Sequence, residues 1–277
     1  MANQLVAMKL KGKVVIITGA TSGIGEACAL VFGKEGAKIV VTGRSPEKLE
    51  LTTKRLQDSG IDVFPVLADA GSEADNKRMA EDVISEFGKI DILINNAGIS
   101  MRALFQDLDL DVFRKVMDTN FWGTVYATKY CLPAILESKG SIIGISSING
   151  YRGTPARTAY TASKFAMNGF FESLRTELMK KGVHVLVACP GFTSSNIRNN
   201  ALKADGSVQG ASPRDETQMM SPQEVAESIL TATLKRERDL VLTLQGKLVV
   251  FLNKWAPAFM DGVVYRQMAK EKDSPFK

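Results

Sequence analysis

Three observations predict a doubly wound α/β domain for this chain of 277 residues. Short apolar, β-branched runs recur at helix-sized intervals, the segments between them carry helical periodicity, and the first run leads straight into a glycine-rich turn. Runs that are nearly continuous in apolar residues mark parallel strands buried on both sides. Parallel neighbours need crossovers, and right-handed crossover helices cover both faces of the sheet. About seven strands are expected. No internal repeat, low-complexity tract or linker rich in Gly, Ser or Pro divides the chain, so one domain over 1–277 is expected, with a core at about 10–242 and a C-terminal helical extension at 243–277.

The expected strands, in order, are Val14 to Thr18, Lys38 to Thr42, Val63 to Leu67, Ile92 to Asn95, Ser141 to Ser146, Val183 to Cys189 and Leu240 to Leu242. A helix from Glu26 to Lys34 follows the first strand. A long helix from Leu110 to Glu137 precedes the fifth, and a second from Pro155 to Lys181 follows a Gly-Thr-Pro turn. After the sixth strand, the stretch Ser194 to Ser221 is polar and rich in turn formers. Loops beyond the carboxyl ends of strands surround the ligand crevice in this architecture, so a connection this long reads as a substrate lid, with a plain surface insertion as the alternative.

Composition removes several chemistries. Hydrophobic residues make up 45% of the chain, enough for a large core, while the cysteines at 28, 131 and 189 form no Cys-x-x-Cys and stand with a single histidine. His184 lies inside the alternating run Val183-His-Val-Leu-Val187 and reads as a strand residue. No metal site is expected, and a Ser-His-Asp mechanism lacks its base. The 35 basic and 30 acidic side chains are spread along the chain, and the net +5 they leave does not call for a nucleic-acid partner. The cluster Lys235-Arg-Glu-Arg238 suits the end of a helix, where cations complement the dipole. Met1 to Leu10 holds no apolar core of the secretory kind, so a cytoplasmic, reducing setting with free thiols is expected.

Directly after the first strand comes Thr18-Gly-Ala-Thr-Ser-Gly-Ile-Gly25. Glycines at 19, 23 and 25 permit a tight strand-to-helix turn that a pyrophosphate can approach, and the helix N-terminus offers free N–H groups. The spacing Gly-x-x-x-Gly-x-Gly differs from Gly-x-Gly-x-x-Gly, but its place between the first strand and the first helix favours a dinucleotide over a plain turn. At the end of the second strand the chain reads Val40-Val-Thr-Gly-Arg-Ser45. Where an NAD site places an acid on the ribose, Arg44 offers a guanidinium fork to a 2′-phosphate and Ser45 a second donor, which favours NADP(H). The alternative is that Arg44 only covers a helix start.

Tyr160 and Lys164 are four apart on a predicted helix and share one face. A phenol with a pKa near ~10 exchanges protons poorly at neutral pH unless a cation favours its phenolate, and Lys164 supplies one. Ser147 follows the fifth strand at the carboxyl end of the sheet and can hold a carbonyl oxygen beside the phenol.

With these residues in place the chain resembles a short-chain dehydrogenase/reductase of the NADP-preferring type with a C-terminal extension. The likeness runs from about Leu10 to Leu242 and rests on Thr18 to Gly25, Asp69, Asn95-Asn-Ala-Gly98, Asn120, Ser147, Tyr160-Thr-Ala-Ser-Lys164 and Pro190-Gly191. It implies a Rossmann-type sheet and a set of roles. Tyr160 is the general acid in reduction and the base in oxidation. Lys164 lowers the pKa of Tyr160 and holds the nicotinamide ribose, and Ser147 positions the substrate oxygen. Asn120 holds a water that links Lys164 to solvent. The cofactor is contacted by Gly19, Thr21, Ser22, Gly23, Ile24 and Gly25 in the turn, by Arg44, Ser45 and Asp69 around the adenosine, and by Asn96, Ala97 and Gly98 on the floor. Pro190 and Gly191 line the nicotinamide end. There the family has an aliphatic residue at the position of Thr193 and threonine at that of Ser195, so either hydroxyl can take the carboxamide. NADP-preferring relatives often carry a basic residue where Ser22 stands, which leaves the discrimination to Arg44.

The expected activity is NADP(H)-dependent interconversion of a carbonyl and a secondary alcohol. The alternatives are the same chemistry with NAD(H) or a catalytically silent cofactor-binding scaffold. A homodimer or homotetramer is implied by the resemblance, and the substrate is a small carbonyl or alcohol, bulky and apolar if the tail contributes. In that tail Leu248, Phe251, Leu252, Trp255 and Phe259 form a helical stripe that Pro257 should break or kink. Packing on the body or a partner subunit, a wall over the substrate pocket and peripheral membrane contact all fit the stripe. A membrane span does not, because Asn253, Lys254, Pro257 and Asp261 interrupt it.

Overall fold

The computed structural model describes residues 8–212, 219–271, 274 and 276. The chain runs β1 (Val14–Ile17), α1 (Gly23–Lys34), β2 (Lys38–Gly43), α2 (Pro46–Asp58), β3 (Val63–Leu67), α3 (Glu73–Phe87) and β4 (Ile92–Asn95). It continues through α4 (Leu110–Met117), α5 (Gly123–Ser138), β5 (Ser141–Ile145), α6 (Thr158–Leu178), β6 (His184–Cys189), α7 (Pro222–Leu234) and β7 (Asp239–Val241). Two further helices, α8 (Leu244–Trp255) and α9 (Pro257–Ala269), form the tail.

The strands make one parallel sheet in the order β3-β2-β1-β4-β5-β6-β7. Its two faces explain the unbroken apolar runs. Within β1, Val15 and Ile17 enter a core with Phe32 of α1 and Ile229 of α7. Val14 and Ile16 enter a second core with Val83 of α3, Ile135 of α5 and Phe171 of α6. A period-2 strand shows no polar face when both faces are dry. The strand order reverses between β1 and β4, which opens a crevice beyond their carboxyl ends. His184 is a buried strand residue, as expected, with Nδ1 3.2 Å from Ser141 Oγ and Nε2 2.7 Å from the Glu237 carbonyl oxygen.

At the opposite edge of the strands Asp91 pins the start of the sheet. Its carboxylate is buried and accepts from Lys13 Nζ at 2.7 Å and from the Val14 N–H at 3.0 Å, with Lys89 Nζ at 3.1 Å. Burial alone would raise its pKa, but Lys13, the Val14 amide and Lys89 outweigh it and hold the carboxyl below its ordinary value. A depressed carboxylate stabilises the fold above its unfolded pKa and loses that contribution as pH falls through the folded one. Asp91→Ala is therefore expected to cost about 2–3 kcal/mol in urea unfolding at pH 7, with the gap to the parent chain closing in acid.

The structure departs from the periodicity in the long helix. The segment expected as one helix from Leu110 to Glu137 is interrupted by a π turn over Asp118–Trp122, where the Gly123 N–H reaches back five residues to the Asp118 carbonyl. One extra residue in a turn rotates the side chains that follow and turns Asn120 into the interior. The helix expected from Pro155 begins at Thr158 instead, because Ala156 has φ +59 and cannot be helical.

The expected lid, Ser194 to Ser221, is described except for 213–218, which lie outside the described residues, as do 1–7 of the Met1 to Leu10 stretch. Its described part folds over the crevice. Leu202 is buried, donates its N–H to the Ser100 carbonyl at 2.9 Å and accepts from the Arg102 N–H at 2.8 Å.

Pro257 does not kink a helix; it stands at the first turn of a new one, after Ala256 leaves helical geometry at φ -139 and ψ 59. Arg152 ties both tail helices to the body, donating from Nη1 to Asn253 Oδ1 at 2.9 Å and from Nη2 to Asp261 Oδ1 at 2.5 Å. Asn253 Nδ2 donates to the Tyr151 carbonyl at 2.9 Å. The buried Glu271 lies 3.4 Å from Arg102 and 3.8 Å from Arg157. Leu248, Phe251, Trp255 and Phe259 are nevertheless exposed and only Leu252 of the stripe is half-buried, so most of the stripe faces away from the body and none of it lines the pocket around Tyr160.

Candidate active site

Two adjoining cavities occupy the crevice. The larger, about 440 Å³, runs from the glycine turn to Arg44, Ser45 and Asp69. Thr21, Ser22, Gly23 and Ile24 form one wall, and Asn96, Ala97 and Gly98 form the floor. Gly19 has φ +63, and a Cβ there would lie 2.8 Å from the Cα of Ala97. A Cβ on Gly25 would overlap the Asn96 amide. That amide is spent on the turn, donating to the Thr18 carbonyl at 2.9 Å and to the Gly19 carbonyl at 3.0 Å. Thr18 Oγ1 in return accepts from the Asn96 and Ala97 N–H groups, both at 3.0 Å. The β1 and β4 ends are thus sewn together by polar bonds that only a close backbone approach allows. Ser22 is the N-cap of α1, but its side chain makes no capping bond, which leaves its hydroxyl and the first-turn N–H groups for an anion. A pyrophosphate fits this cradle.

At the far end Arg44 is exposed and makes no hydrogen bond or ion pair with a described residue. Lys48 lines the same end of the groove. Sequence reading missed it; its only signal is its place one turn beyond Arg44, where α2 starts at Pro46. Ser45 is the cap of that helix, its Oγ accepting from the Lys48 N–H at 3.4 Å, and its proton stays available. Asp69 is exposed on the rim and shapes its loop by accepting from the Gly71 N–H at 2.9 Å.

The smaller cavity, about 160 Å³, is lined by Ser147, Tyr160 and Lys164 together with Pro190, Gly191 and Thr193. β5 delivers Ser147, whose Oγ accepts from the Asn149 N–H at 3.1 Å as it caps a 3-10 turn over Ile148–Gly150. That bond holds the oxygen at the cavity wall and leaves its proton free to be donated. α6 delivers Tyr160 and Lys164. Lys164 Nζ donates to the Ile145 carbonyl at 2.8 Å and stands 5.7 Å from the centroid of the Tyr160 ring. Burial lowers the Lys164 pKa to about 8.

Burial pushes the Tyr160 phenol above its ordinary value, opposed by the Ser147 hydroxyl beside it and by the charges of Arg157 and Arg198. Those two arginines were not singled out by sequence reading; Lys164 Nζ is bonded to the Ile145 carbonyl and lies beside the ring. Arg157 stands three residues before Tyr160 at the start of α6, and Arg198 reaches in from the lid.

Asn120 lies behind this cavity, fully buried. Its Oδ1 accepts from the Ile99 N–H at 2.8 Å, and its Nδ2 donates to the Ile99 carbonyl and to Ser163 Oγ, both at 2.9 Å. Every polar group of the side chain is thus hydrogen-bonded, and the main-chain carbonyl accepts from Thr124 Oγ1 at 2.8 Å. Of the two candidate hydroxyls near Pro190, Thr193 donates to the Gly191 carbonyl at 3.3 Å and lines only the smaller cavity. Ser195 lines both cavities.

Comparison with known proteins agrees with this geometry. Residues 13–206 match the family model described as short chain dehydrogenase. The dehydrogenase/reductase SDR family member 7B of Rattus norvegicus is 41% identical over 276 residues, covering 96% of this chain and 84% of that one. An uncharacterized oxidoreductase of Bacillus subtilis, YxnA, is 35% identical over 275 residues, 96% of this chain and 76% of that one. Among solved structures, a short chain dehydrogenase/reductase from Burkholderia phymatum in complex with NAD superposes with a TM-score of 0.82 at 23% identity, over 91% of this chain and 96% of that one, a likeness of fold. A metagenomic short-chain oxidoreductase in complex with NADP gives 0.71 at 26% identity, over 84% and 97%. The chain belongs to the short-chain dehydrogenase/reductase family of oxidoreductases, which bind a nicotinamide cofactor.

Proposed function

We propose that the chain is an NADP(H)-dependent oxidoreductase that interconverts a carbonyl and a secondary alcohol. The observation that carries this reading is the convergence of Ser147, Tyr160 and Lys164 on one cavity that adjoins the pyrophosphate cradle. Gly19 to Gly25 would hold the pyrophosphate, Asp69 the adenine side, Asn96 to Gly98 the floor, and Ser195 the carboxamide. Bound there, the nicotinamide supplies hydride in reduction and takes it up in oxidation. Ser147 holds the substrate oxygen with the proton that Asn149 leaves free. Tyr160 gives that oxygen its proton in reduction and removes it in oxidation. Lys164 stands beside the phenol, and a water at Asn120 would link it to solvent so that the proton is replaced or released there. Some 160 Å³ accommodates the reacting carbonyl and its near substituents, and an apolar remainder would extend toward the exposed Phe192 on the rim.

The cofactor choice rests on Arg44 and Lys48, two cations that line the same end of the groove. Charge-assisted bonds are worth about 1.5–3 kcal/mol each, so Arg44→Ala is expected to raise the Kd for NADPH by roughly 10- to 100-fold and to leave that for NADH within about twofold. Lys48→Ala should act in the same sense and less strongly, because an ammonium lacks the fork. Fluorescence titration of the purified chain reads both. Equal affinity of the parent chain for NADH and NADPH would establish the NAD(H) alternative.

A further inference from the structure

We propose that the tail carries a docking face for an anionic lipid bilayer. Along α8 and into α9, Leu244 is 84% exposed, Leu248 53%, Phe251 60%, Trp255 71% and Phe259 59%. The spacing from 244 to 255 is i, i+4, i+7, i+11, so these residues form one ridge. The ridge is held outward. Arg152 grips Asn253 and Asp261 on the inner side, and Glu271 is drawn into the body between Arg102 and Arg157.

This anchoring also sorts the charges. Asp261 and Glu271 are the two acids between Leu244 and Glu271, and both are turned toward arginines of the body. Lys247, Lys254, Arg266 and Lys270 are exposed and have no acidic partner among the described residues. Lys247 and Lys254 flank the ridge on one side, and Lys254 lies 6.0 Å from the ring centroid of Trp255. An aromatic and leucine ridge bordered by lysines, on helices lying flat against a domain, suits the headgroup boundary of a bilayer with anionic lipids. No helix among the described residues is long and apolar enough to cross a membrane, so the contact is peripheral.

A second copy of the ridge is a poorer partner. In an antiparallel twofold pairing the same flank of each helix meets, which sets Lys247 and Lys254 against the same lysines of the other copy. Lipid phosphates offset those charges instead. The face also adjoins the substrate side, since the Thr243 side chain lies 3.2 Å from the Cβ position of Gly191, and the Cβ position of Gly246 lies 2.8 Å from Ile148.

The test is co-sedimentation of the full chain with vesicles of phosphatidylcholine alone and with about one third phosphatidylglycerol. The parent chain should bind the anionic vesicles, and the double variant Phe251→Ser/Trp255→Ser should bind at least about tenfold less. Lys247→Glu/Lys254→Glu should lose the preference for anionic lipid. The chain has two tryptophans, so Trp122→Phe leaves Trp255 as the reporter, and its emission should shift to the blue on adding anionic vesicles. Absence of vesicle binding by the parent chain, or binding that survives the ridge substitutions, overturns the proposal. So does sedimentation equilibrium in which the ridge variant dissociates an oligomer while the parent chain ignores vesicles, because the face is then a subunit contact.

Discussion

Tyr160→Phe should lower turnover by about 10²- to 10⁴-fold, the range that a positioned general acid or base contributes. The substitution removes one oxygen and keeps the ring that Lys164 faces at 5.7 Å. Cofactor affinity is therefore expected to stay within about twofold, and the loss should fall on kcat. The measurement is initial-rate kinetics on a panel of ketones and alcohols, followed by NADPH absorbance, beside cofactor titration of the same preparation. A chain that only binds the cofactor would give no turnover in the parent and no difference in the variant. Unchanged turnover in the variant would move the proton transfer to another group.

Asn120→Ala should destabilise the chain by about 2–3 kcal/mol, because it removes the partner of the half-buried Ile99 N–H and C=O and one of the two bonds of the buried Ser163 hydroxyl. Urea unfolding at neutral pH reads this directly. A water relay that depends on the side chain would predict the opposite pattern, a stable variant with impaired proton transfer. The distinction follows from the π turn, which points the amide at the loop after β4, where it bridges the Ile99 N–H and carbonyl.

The strands, the doubly wound class and the cluster of Ser147, Tyr160 and Lys164 were legible in the sequence because each rests on local signals. Apolar runs, a glycine turn after β1 and an i, i+4 pair all lie within a few residues of one another. The features that escaped depend on partners far along the chain. The π turn changes the helical phase by one residue between two helices, a shift too local for periodicity over Leu110 to Glu137 to register. Arg157 and Arg198 face Tyr160 only once α6 and the lid have been brought together. Lys48 reads as an ordinary helix lysine until α2 is set beside the glycine turn. The tail stripe was plain in the sequence, whereas its outward direction follows from Arg152 and Glu271, which no helical repeat encodes.

The polar stitching of Thr18 and Asn96 across the β1 and β4 ends has an evolutionary consequence. The turn is shaped by folding alone, so in the proposed reading the grip on the diphosphate would be set on one segment of chain. In the proposed reading, selection between phosphorylated and unphosphorylated ribose would sit on another, at Arg44 and Lys48, outside that stitching. Grip and choice can therefore drift independently, and a descendant could exchange one nicotinamide currency for the other by altering two rim side chains while its inherited turn stays untouched.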